Sequence, residues 1–389
     1  MPITSLRRWL PLLLGSAALL AQARSLSAQV AADTVVRSIT APRTPLPAEA
    51  ASRNVTRFSF IAYGDSRGRR DGEVQQHEHW LVVDGIVRTV AAMANGPDPV
   101  RFVVWSGDAV VNGRLAQQWN ASFIDNVNRI TTEAGIPFLP APGNHDVTAS
   151  PDKASVARQA GLRNYLSAFR NLMPPDGSPR RLAGYPTFAF GYGNTFAIAF
   201  DSNIAADSIQ FEWIRAQLEG LDRQRYTNVV VYCHQPAFSS GPHGGSNVEA
   251  ATTVIRAKYM PLFRKHNVRM FFSGHEHLFE HFVERYQDAA GQARRIDHIV
   301  SGGGGAPLYA YFGEPDLTEY RRAGAAERVA VEHLVKPGAE PGQNPYHFTL
   351  VRVDGDRIRV EVIGVDFGAG FRPYRTRGAD LNDPPPVRP

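Results

Sequence analysis

The chain has 389 residues, of which 43% are apolar and 20% are charged, and its formal net charge is +5 at pH 7. A chain of this length and composition can bury a sizeable core, which excludes a disordered protein and favours one large domain or two ordinary ones. The single cysteine, Cys233, excludes an intrachain disulfide and any metal site built from several cysteines.

The first segment, residues 1–23, has the pattern of an export signal. Arg7 and Arg8 precede the apolar run Trp9–Leu20, which ends in Ala21-Gln22-Ala23, a small-residue pattern that signal peptidases accept. We therefore expect an exported protein, periplasmic or secreted, by the general or the twin-arginine route. Removal of the two arginines lowers the net charge to +3, so charge does not indicate a nucleic-acid partner. No later apolar run could span a membrane, so we expect no span in the mature chain.

The segments that follow predict a layered α/β fold. Residues 24–54, rich in Ala, Ser, Thr and Pro, predict a linker or a strap on the surface. In residues 55–375, short apolar runs alternate with stretches of helical spacing, which favours sheets flanked by helices. The expected strands are Phe58–Tyr63, Phe102–Trp105, Pro137–Pro140, Phe196–Phe200, Val229–Tyr232 and Val268–Phe272. The expected helices are His79–Met93, Phe123–Ala134, Val156–Leu172, Phe211–Leu221 and Ala251–Lys265.

The last part of the chain has a different pattern. Phe348–Val353, the turn Asp354-Gly355 and Ile358–Ile363 predict a hairpin with a two-residue loop. Glu314–Asn344 is charged and rich in Gly and Pro, which predicts an insertion or cover loop. Residues 376–389 predict a flexible, Pro-rich tail.

Polar side chains follow the expected strands at the points where the strands end. The groups are Gly64-Asp65-Ser66-Arg67, Ser106-Gly107-Asp108, Gly143-Asn144-His145-Asp146, Cys233-His234 and Ser273-Gly274-His275-Glu276-His277. Because the carboxyl ends of strands converge in α/β sheets, we expect these groups to meet at one site. Their carboxylate, amide and imidazole donors suit Mn, Fe or Zn. Cys233 should point away from the site, because adjacent residues of a strand face opposite ways.

Some of these residues have simpler interpretations when taken alone. Asp65 could cap a helix, and Gly107-Asp108 could form a turn. Gly143-Asn144-His145-Asp146 is more specific, because packing does not explain three adjacent polar groups at a strand end. His243, in a loop after the His234 strand, is a candidate for contact with a substrate.

The order of these motifs resembles that of the calcineurin-like metallophosphoesterases, the superfamily that includes purple acid phosphatases. The similarity extends over residues 55–305, and the hairpin at 346–364 would complete the second sheet. The resemblance implies a two-sheet β-sandwich flanked by helices in four layers, with two metal ions at the strand ends. It implies that Asp108 bridges the two metals. Asp65 and His277 would bind the first metal, and Asn144, His234 and His275 would bind the second.

The resemblance also implies a catalytic role for His145, which would donate a proton to the leaving group while Asp146 orients it. Two cations a few ångströms apart would offset the charge of a phosphate and lower the pKa of a bridging water, giving a hydroxide that attacks phosphorus. An unligated imidazole is then suited to protonating the departing alkoxide.

One motif departs from the resemblance. The family's Asp-x-His is Asp65-Ser66-Arg67 here, and Val111 stands where purple acid phosphatases have a Tyr. The first metal therefore has three expected ligands against four for the second. Either another group or water completes this site, or it binds metal weakly. We expect Arg67 to contact the substrate phosphate, because a guanidinium binds phosphate oxygens in bidentate fashion.

The function predicted from the sequence is an exported, metal-dependent phosphoesterase that acts on small-molecule phosphomonoesters or phosphodiesters. The alternative is a phospho-ligand binding or surface interaction module with a degenerate site, which the missing His motivates. A nuclease is a narrower alternative, but no basic stripe interleaved with aromatic residues is present.

Overall fold

The computed structural model describes residues 35–68, 76–148, 150, 152–244, 248–324, 328–365 and 379–380. The predicted export signal, at 1–23, and most of the predicted tail lie outside the described residues. Within the described part of the chain, no helix has the length and apolar character needed to cross a membrane.

The strands and helices alternate through most of the chain. The strands are β1 (Arg57–Tyr63), β2 (Val100–Trp105), β3 (Phe138–Pro140), β4 (Phe188–Tyr192), β5 (Thr195–Ala199), β6 (Asn228–Tyr232), β7 (Met270–Ser273), β8 (Phe279–Gln287), β9 (Ala293–Ser301), β10 (Ala330–Val335), β11 (His347–Asp354), β12 (Arg357–Gly364) and β13 (Ala379–Asp380). The helices are α1 (His77–Met93), α2 (residues 116–134, with π turns at Trp119–Phe123 and Ile130–Ala134), α3 (Asn144–Val147), α4 (Val156–Ala168), α5 (Ser208–Glu219), α6 (residues 250–265) and α7 (Pro315–Gly324).

The strands form two mixed sheets. The first has the order β13-β12-β11-β1-β2-β3, and β1, β2 and β3 run parallel. The second has the order β10-β8-β9-β7-β6-β5-β4, with β5, β6, β7 and β9 parallel. Parallel strands place their carboxyl ends at one edge, so each sheet has one edge where the loops after these strands meet.

The hairpin of β11 and β12 lies in a different sheet from the one expected. Its two-residue loop is Gly355-Asp356, and Gly355 takes a left-handed φ of 62° there. β11 pairs antiparallel with β1, so Phe58 lies opposite Val353. The hairpin therefore completes the first sheet, which contains β1, and not the second, because β1 leaves an open edge for it.

Aromatic side chains fill the space between the two sheets. The ring of Phe60 stacks on Phe102 at 5.2 Å and meets Phe272 of the second sheet edge-on at 6.0 Å. Trp105, on the opposite face of β2, packs under α2 and α4 against Phe123. A separate core lies beneath α5 and α6 on the outer face of the second sheet. The order of layers is therefore helices, sheet, sheet, helices.

Two segments outside the alternating strands and helices, residues 35–54 and 314–344, also pack against the sheets. In residues 35–54 the side chains of Val36 and Ile39 are buried, and the Ile39 amide donates to the Ala168 carbonyl at 2.9 Å. Residues 314–344, expected as an insertion or cover loop, contain α7 and β10, and β10 pairs antiparallel with β8. This segment therefore extends the second sheet by one strand.

Candidate metal centre

The residues predicted for the site lie at the carboxyl ends of strands from both sheets. The first sheet supplies Asp65, Arg67, Asp108, Asn144, His145 and Asp146, and the second supplies His234, His275 and His277. One donor atom each from Asp65, Asp108 and His234 lie within 4.8 Å of one another. The site therefore spans the seam between the two sheets, and neither sheet holds it alone.

Four of the expected ligands form a compact group, the four-donor cluster: Asp108, Asn144, His234 and His275. Asn144 Oδ1 lies 2.8 Å from His234 Nε2 and 3.1 Å from His275 Nδ1. Those two ring nitrogens are 3.1 Å apart, and Asp108 Oδ1 is 3.4 Å from His234 Nε2. Donors around a tetrahedral ion, each about 2.0–2.2 Å from it, stand about 3.4 Å apart. The spacing of the cluster therefore suits a single metal ion.

The outer nitrogens of these two imidazoles determine which nitrogen faces the cluster. His234 Nδ1 lies 2.8 Å from the carbonyl oxygen of Ser106, which can only accept, so this nitrogen donates. His275 Nε2 faces the Glu249 carboxylate at 3.2 Å. A neutral ring that donates from one nitrogen presents a lone pair at the other. Two lone pairs and an amide oxygen thus converge within 3.1 Å, a donor set that fits a cation.

A second group, the three-donor cluster, consists of Asp65, Asp108 and His277. His277 Nε2 lies 3.6 Å from Asp65 Oδ1, and its Nδ1 donates to the Pro307 carbonyl at 2.7 Å. The Asp65 carboxylate already accepts the backbone N–H of His275, at 3.0 and 2.9 Å from its two oxygens. The cluster shares Asp108 with the four-donor cluster, so two adjacent positions for cations have one carboxylate in common.

Three of the expected ligands take a left-handed backbone conformation that is uncommon for residues with a side chain. Asp65, Asp108 and His275 have φ values of 60°, 64° and 69°. Such conformations cost free energy and persist where the surrounding structure enforces them, which is frequent at functional sites. In this chain they turn each side chain back over the strand end, toward the seam.

Glycines precede these ligands and leave no room for a side chain behind them. A Cβ at Gly143 would stand 2.1 Å from Asp108 Oδ1, and one at Gly274 would stand 2.1 Å from Asp65 Oδ2. Gly107 combines a φ of 107° with a Cβ position 2.9 Å from His234 Nδ1. The donors can therefore pack this closely only because the residues behind them are glycines, which have no side chain.

The two buried carboxylates of the three-donor cluster affect one another's ionisation. Burial, reinforced by the charge of Asp108, raises the pKa of Asp65 well above its usual range. Burial alone would raise the pKa of Asp108, but the charges of His234, His145 and the nearby guanidinium hold it below its usual range. Two acidic groups this close in a buried site favour a cation beside them.

Arg67 lies beside the shared carboxylate. Its backbone N–H donates to the Asp108 carbonyl at 2.9 Å, and its Nε lies 3.5 Å from Asp108 Oδ2. The side chain is only 16% exposed. Burial and then the charge of Arg67 hold the pKa of His277 well below its usual range. Arg67 therefore places its positive charge among the three-donor cluster; its predicted contact with a substrate phosphate stays a prediction.

His145 and Asp146 are both in the site, but their contacts differ from the sequence expectation. His145 Nδ1 donates to the Val111 carbonyl at 2.7 Å, and its Nε2 faces Asp108 Oδ2 at 4.0 Å. The Asp146 carboxylate instead accepts backbone N–H groups of Gly143, Asp108 and Ala109 at 2.8–2.9 Å. Asp146 therefore ties the loops after β2 and β3 together, and a carbonyl group orients the His145 ring.

Four residues beside the site were not assigned roles as ligands or catalytic groups: the buried Glu276, and His243, Glu249 and Tyr309 at the mouth of the site. Glu249 lies 3.2 Å from both His243 Nδ1 and His275 Nε2. The ring of Tyr309 stacks on His277 with the centroids 4.1 Å apart. Only His243 had a sequence signal, its loop position after β6. Glu276 follows the expected strand Val268–Phe272 but was given no role of its own. Glu249 and Tyr309 follow no strand in the expected set, so nothing in their local sequence marked them.

Comparison with known proteins gives one family match and several relatives. The family model described as calcineurin-like phosphoesterase matches residues 77–279. Purple acid phosphatase 22 of Arabidopsis thaliana is 27% identical over 169 residues, which is 43% of this chain and 36% of that protein. Fe(3+)-Zn(2+) purple acid phosphatase 12 of the same plant is 24% identical over 149 residues, covering 37% of this chain and 29% of the relative.

Among solved structures, purple acid phosphatase PPD1 from yellow lupin (Lupinus luteus) seeds has a similar fold. The TM-score is 0.56 and the identity 16%, over 81% of this chain and 52% of that one. This chain spans about a third of the length of the Arabidopsis relatives. The family match begins at residue 77, after Asp65 and Arg67, and includes the other seven predicted site residues.

Proposed function

This chain belongs to the calcineurin-like phosphoesterase family, and we propose that it hydrolyses small-molecule phosphomonoesters or phosphodiesters with the help of bound metal. The observation that carries the proposal is the four-donor cluster, in which lone pairs and oxygens from both sheets converge at 2.8–3.4 Å. Carboxylate, amide and imidazole donors in this arrangement suit Mn, Fe or Zn.

Asp108, Asn144, His234 and His275 would hold one metal ion. The other position for a cation is the three-donor cluster; the name of one relative, an Fe(3+)-Zn(2+) enzyme, points to a second ion there, but in this chain Arg67 lies in that space. When bound, the metal supplies Lewis acid charge that offsets phosphate charge and activates water. The residues of the site would hold and orient the ester where the two sheets meet.

We assign proton donation to His145. Its Nδ1–H is engaged by the Val111 carbonyl at 2.7 Å, so only Nε2 faces the site. The imidazole is 31% exposed, which leaves it accessible to a leaving-group oxygen. An imidazole in this position can deliver a proton to the departing alkoxide and recover one from solvent.

The test is a metal-dependent assay with an aryl phosphate and a bis-aryl phosphate. The metal-free chain is loaded separately with Mn, Fe and Zn, and release of the phenol is followed. Turnover of either ester, lost on chelation and restored by one of these metals, supports a phosphoesterase. A folded, metal-loaded chain that turns over neither ester supports the alternative, a phospho-ligand binding module, which the replacement of the family's His by Arg67 favours.

We also propose that the protein is exported to the periplasm or beyond the cell. The proposal rests on the Arg7-Arg8 pair, the apolar run and Ala21-Gln22-Ala23. In a bacterial host, the full chain should yield a product in the exported fraction whose first residue is Arg24. An uncleaved product retained in the cytoplasm would contradict export.

A further inference from the structure

We propose that the guanidinium of Arg67 takes the place of a second metal ion, so that the centre holds one tightly bound metal and one fixed organic cation. The inference deepens the proposed function and rests on it for the role of the metal. It concerns the three-donor cluster, where Asp65, Asp108 and His277 meet Arg67.

The main chain fixes Arg67 at this position. The Asp65 amide donates to the Gly107 carbonyl at 2.8 Å, and the Arg67 amide donates to the Asp108 carbonyl at 2.9 Å. These two bonds lay residues 65–67 across the end of β2. The Arg67 backbone therefore starts beside Asp108, and the Nε of its side chain lies 3.5 Å from the shared carboxylate.

The two oxygens of Asp108 face different partners. Oδ1 accepts the His145 amide at 3.0 Å and lies 3.4 Å from His234 Nε2, on the side of the four-donor cluster. Oδ2 lies 3.5 Å from Arg67 Nε, which is buried and makes no hydrogen bond among the described residues. A carboxylate that bridged two ions would offer an oxygen to each. Here one oxygen faces metal donors, and the other faces a guanidinium.

Charge leads to the same conclusion. Asp65 and Asp108 are 0% and 1% exposed and lie close together, so a positive charge beside them is favoured. Arg67 supplies that charge from within the chain. A divalent ion placed beside it would meet a like charge in a poorly hydrated site, where electrostatic repulsion is strong. The donor set is also one ligand short of that in the four-donor cluster, so a second ion is disfavoured twice.

This arrangement gives the phosphate two different partners. One oxygen would meet the metal of the four-donor cluster, and others would meet the guanidinium, whose planar fork matches phosphate oxygens. The exposed 16% of the Arg67 side chain provides the opening for that contact. The position that makes Arg67 a fixed cation therefore also allows its predicted contact with the substrate.

The experiment counts metal ions in the full chain. Metal-free protein is titrated with Zn²⁺ by calorimetry, and dialysed samples are analysed by mass spectrometry for metal per chain. We expect one tight ion in the wild type and two in Arg67→His, which supplies an imidazole and removes the fixed charge. Arg67→Lys keeps the charge and should bind one. The second ion should bind more tightly in Arg67→His than in the wild type, because an imidazole donor replaces a like charge.

Electron paramagnetic resonance of Mn²⁺-loaded protein gives an independent readout. The wild type should show the six-line spectrum of isolated Mn²⁺, and Arg67→His should show a coupled pair. Two equally tight ions in the wild type, or a coupled spectrum there, would overturn the inference. If Arg67→His does not fold, the wild-type count and spectrum decide the question alone.

The outcome is separable from that of the proposed function. A wild type with one ion and no turnover of either ester would contradict the phosphoesterase and leave the assignment of Arg67 standing. A wild type with two tightly bound ions and normal turnover would overturn the assignment of Arg67 and support the phosphoesterase.

Discussion

Main-chain carbonyl groups orient three imidazoles of the centre. His145, His234 and His277 each donate from Nδ1 to a carbonyl, at 2.7, 2.8 and 2.7 Å. A carbonyl can only accept, so each ring presents Nε2 to the site. The orientation is therefore set by the backbone of the loops, and it persists when a side chain elsewhere in the site is changed.

Replacement of His145 should separate proton donation from metal binding. We expect His145→Ala to lower kcat by about 10²–10⁴-fold for alkyl phosphates, whose leaving groups need a proton, and much less for nitrophenyl phosphate. Steady-state kinetics over a series of leaving groups measures this difference. Metal content should stay at the wild-type value, and an equal loss for all leaving groups would contradict the assignment.

His79 should make the stability of the fold sensitive to acid. It is fully buried on α1, its Nε2 lies 3.2 Å from the Tyr63 hydroxyl, and burial lowers its pKa to about 3. The unfolded chain has a His pKa of about 6.5 and binds the extra proton between these values. Its contribution to stability is therefore complete above pH 6.5 and is lost as the pH falls through this window.

Urea unfolding of metal-free protein from pH 7 to pH 4.5 tests this. His79→Gln cannot titrate, so its free energy of unfolding should fall less steeply with acid, by up to about 1.4 kcal/mol per pH unit. The metal-free state avoids a contribution from metal release. Parallel curves for the two proteins would show that His79 carries no such proton linkage.

At the level of single residues, the sequence identified which residue types form the site better than it identified the contacts that each of them makes. Gly143-Asn144-His145-Asp146 marked a site, and all four residues lie in it. The role expected for Asp146 did not match its contacts, because its carboxylate accepts three backbone amides and leaves His145 to Val111. Carbonyl groups have no signature in a sequence, so such a partner is visible only in three dimensions.

The loop after β6 is held over the site by two buried acids of the β7–β8 segment. Glu276 Oε1 accepts the His243 amide at 2.8 Å, and a Cβ at Gly241 would stand 2.2 Å from Glu276 Oε2. Glu280 accepts both the amide and the hydroxyl of Ser240. The position of His243, whose ring lies 4.4 Å from that of His275, therefore depends on these acids.

Removal of the Glu276 carboxylate should displace this loop without emptying the metal site. We expect Glu276→Ala to raise KM for phosphate esters about 10-fold, because the buried His243 amide loses its partner at a cost of about 1–3 kcal/mol. Glu276→Gln keeps an acceptor oxygen and should remain near the wild type. Kinetics and metal analysis of both variants decide; loss of metal in Glu276→Ala would indicate a role in the centre itself.

The bounds of regular elements with clear patterns were predicted, whereas those of strands with buried charges were not. The expected helix at Val156–Leu172 is α4, which begins at Val156, where Ser155 accepts the Arg158 amide at the N-cap. In β8 and β9, charged residues occupy buried positions: Glu284 pairs with His298 at 3.0 Å, and His281 pairs with Asp297 at 2.8 Å. The sequence around His281 and His298 is strand-like, but only the partner strand explains why these charges are buried.

The metal should join the two halves of the molecule. Donors of the four-donor cluster come from both sheets, and a ligand that binds only the folded state stabilises it by about 2.7 kcal/mol at 100 times its Kd. Removal of metal with EDTA should therefore lower Tm by about 3–4 °C, since the entropy of unfolding of a chain this long is about 0.7–0.8 kcal/mol/K. Differential scanning calorimetry with and without EDTA, followed by re-addition of Zn²⁺, measures the effect.

His234→Ala provides the control for this experiment, because it removes a donor at the centre of the cluster. Its Tm should lie below that of the wild type and should not respond to EDTA. An equal response in both proteins would place the stabilising ion elsewhere.

The four-layer architecture was predictable, because the alternation of strands and helices and the order of motifs are both global features. The sheet to which the last hairpin belongs was predicted wrongly. Pairing between β11 and β1 joins residues nearly 300 positions apart, and no local pattern specifies so distant a partner.

The bare glycines behind the donors also limit how this protein can diverge. Any side chain at Gly143 or Gly274 would occupy the space of a ligand oxygen, so gradual substitution at these positions meets a steric barrier. His243 and Tyr309 are partly exposed at the mouth, where side chains of different length can be accommodated. New substrate preferences should therefore arise by substitution at the mouth and by remodelling of its loops, while the glycines behind the donors stay the same. A mutant library intended to alter specificity would keep those glycines and vary positions 243 and 309.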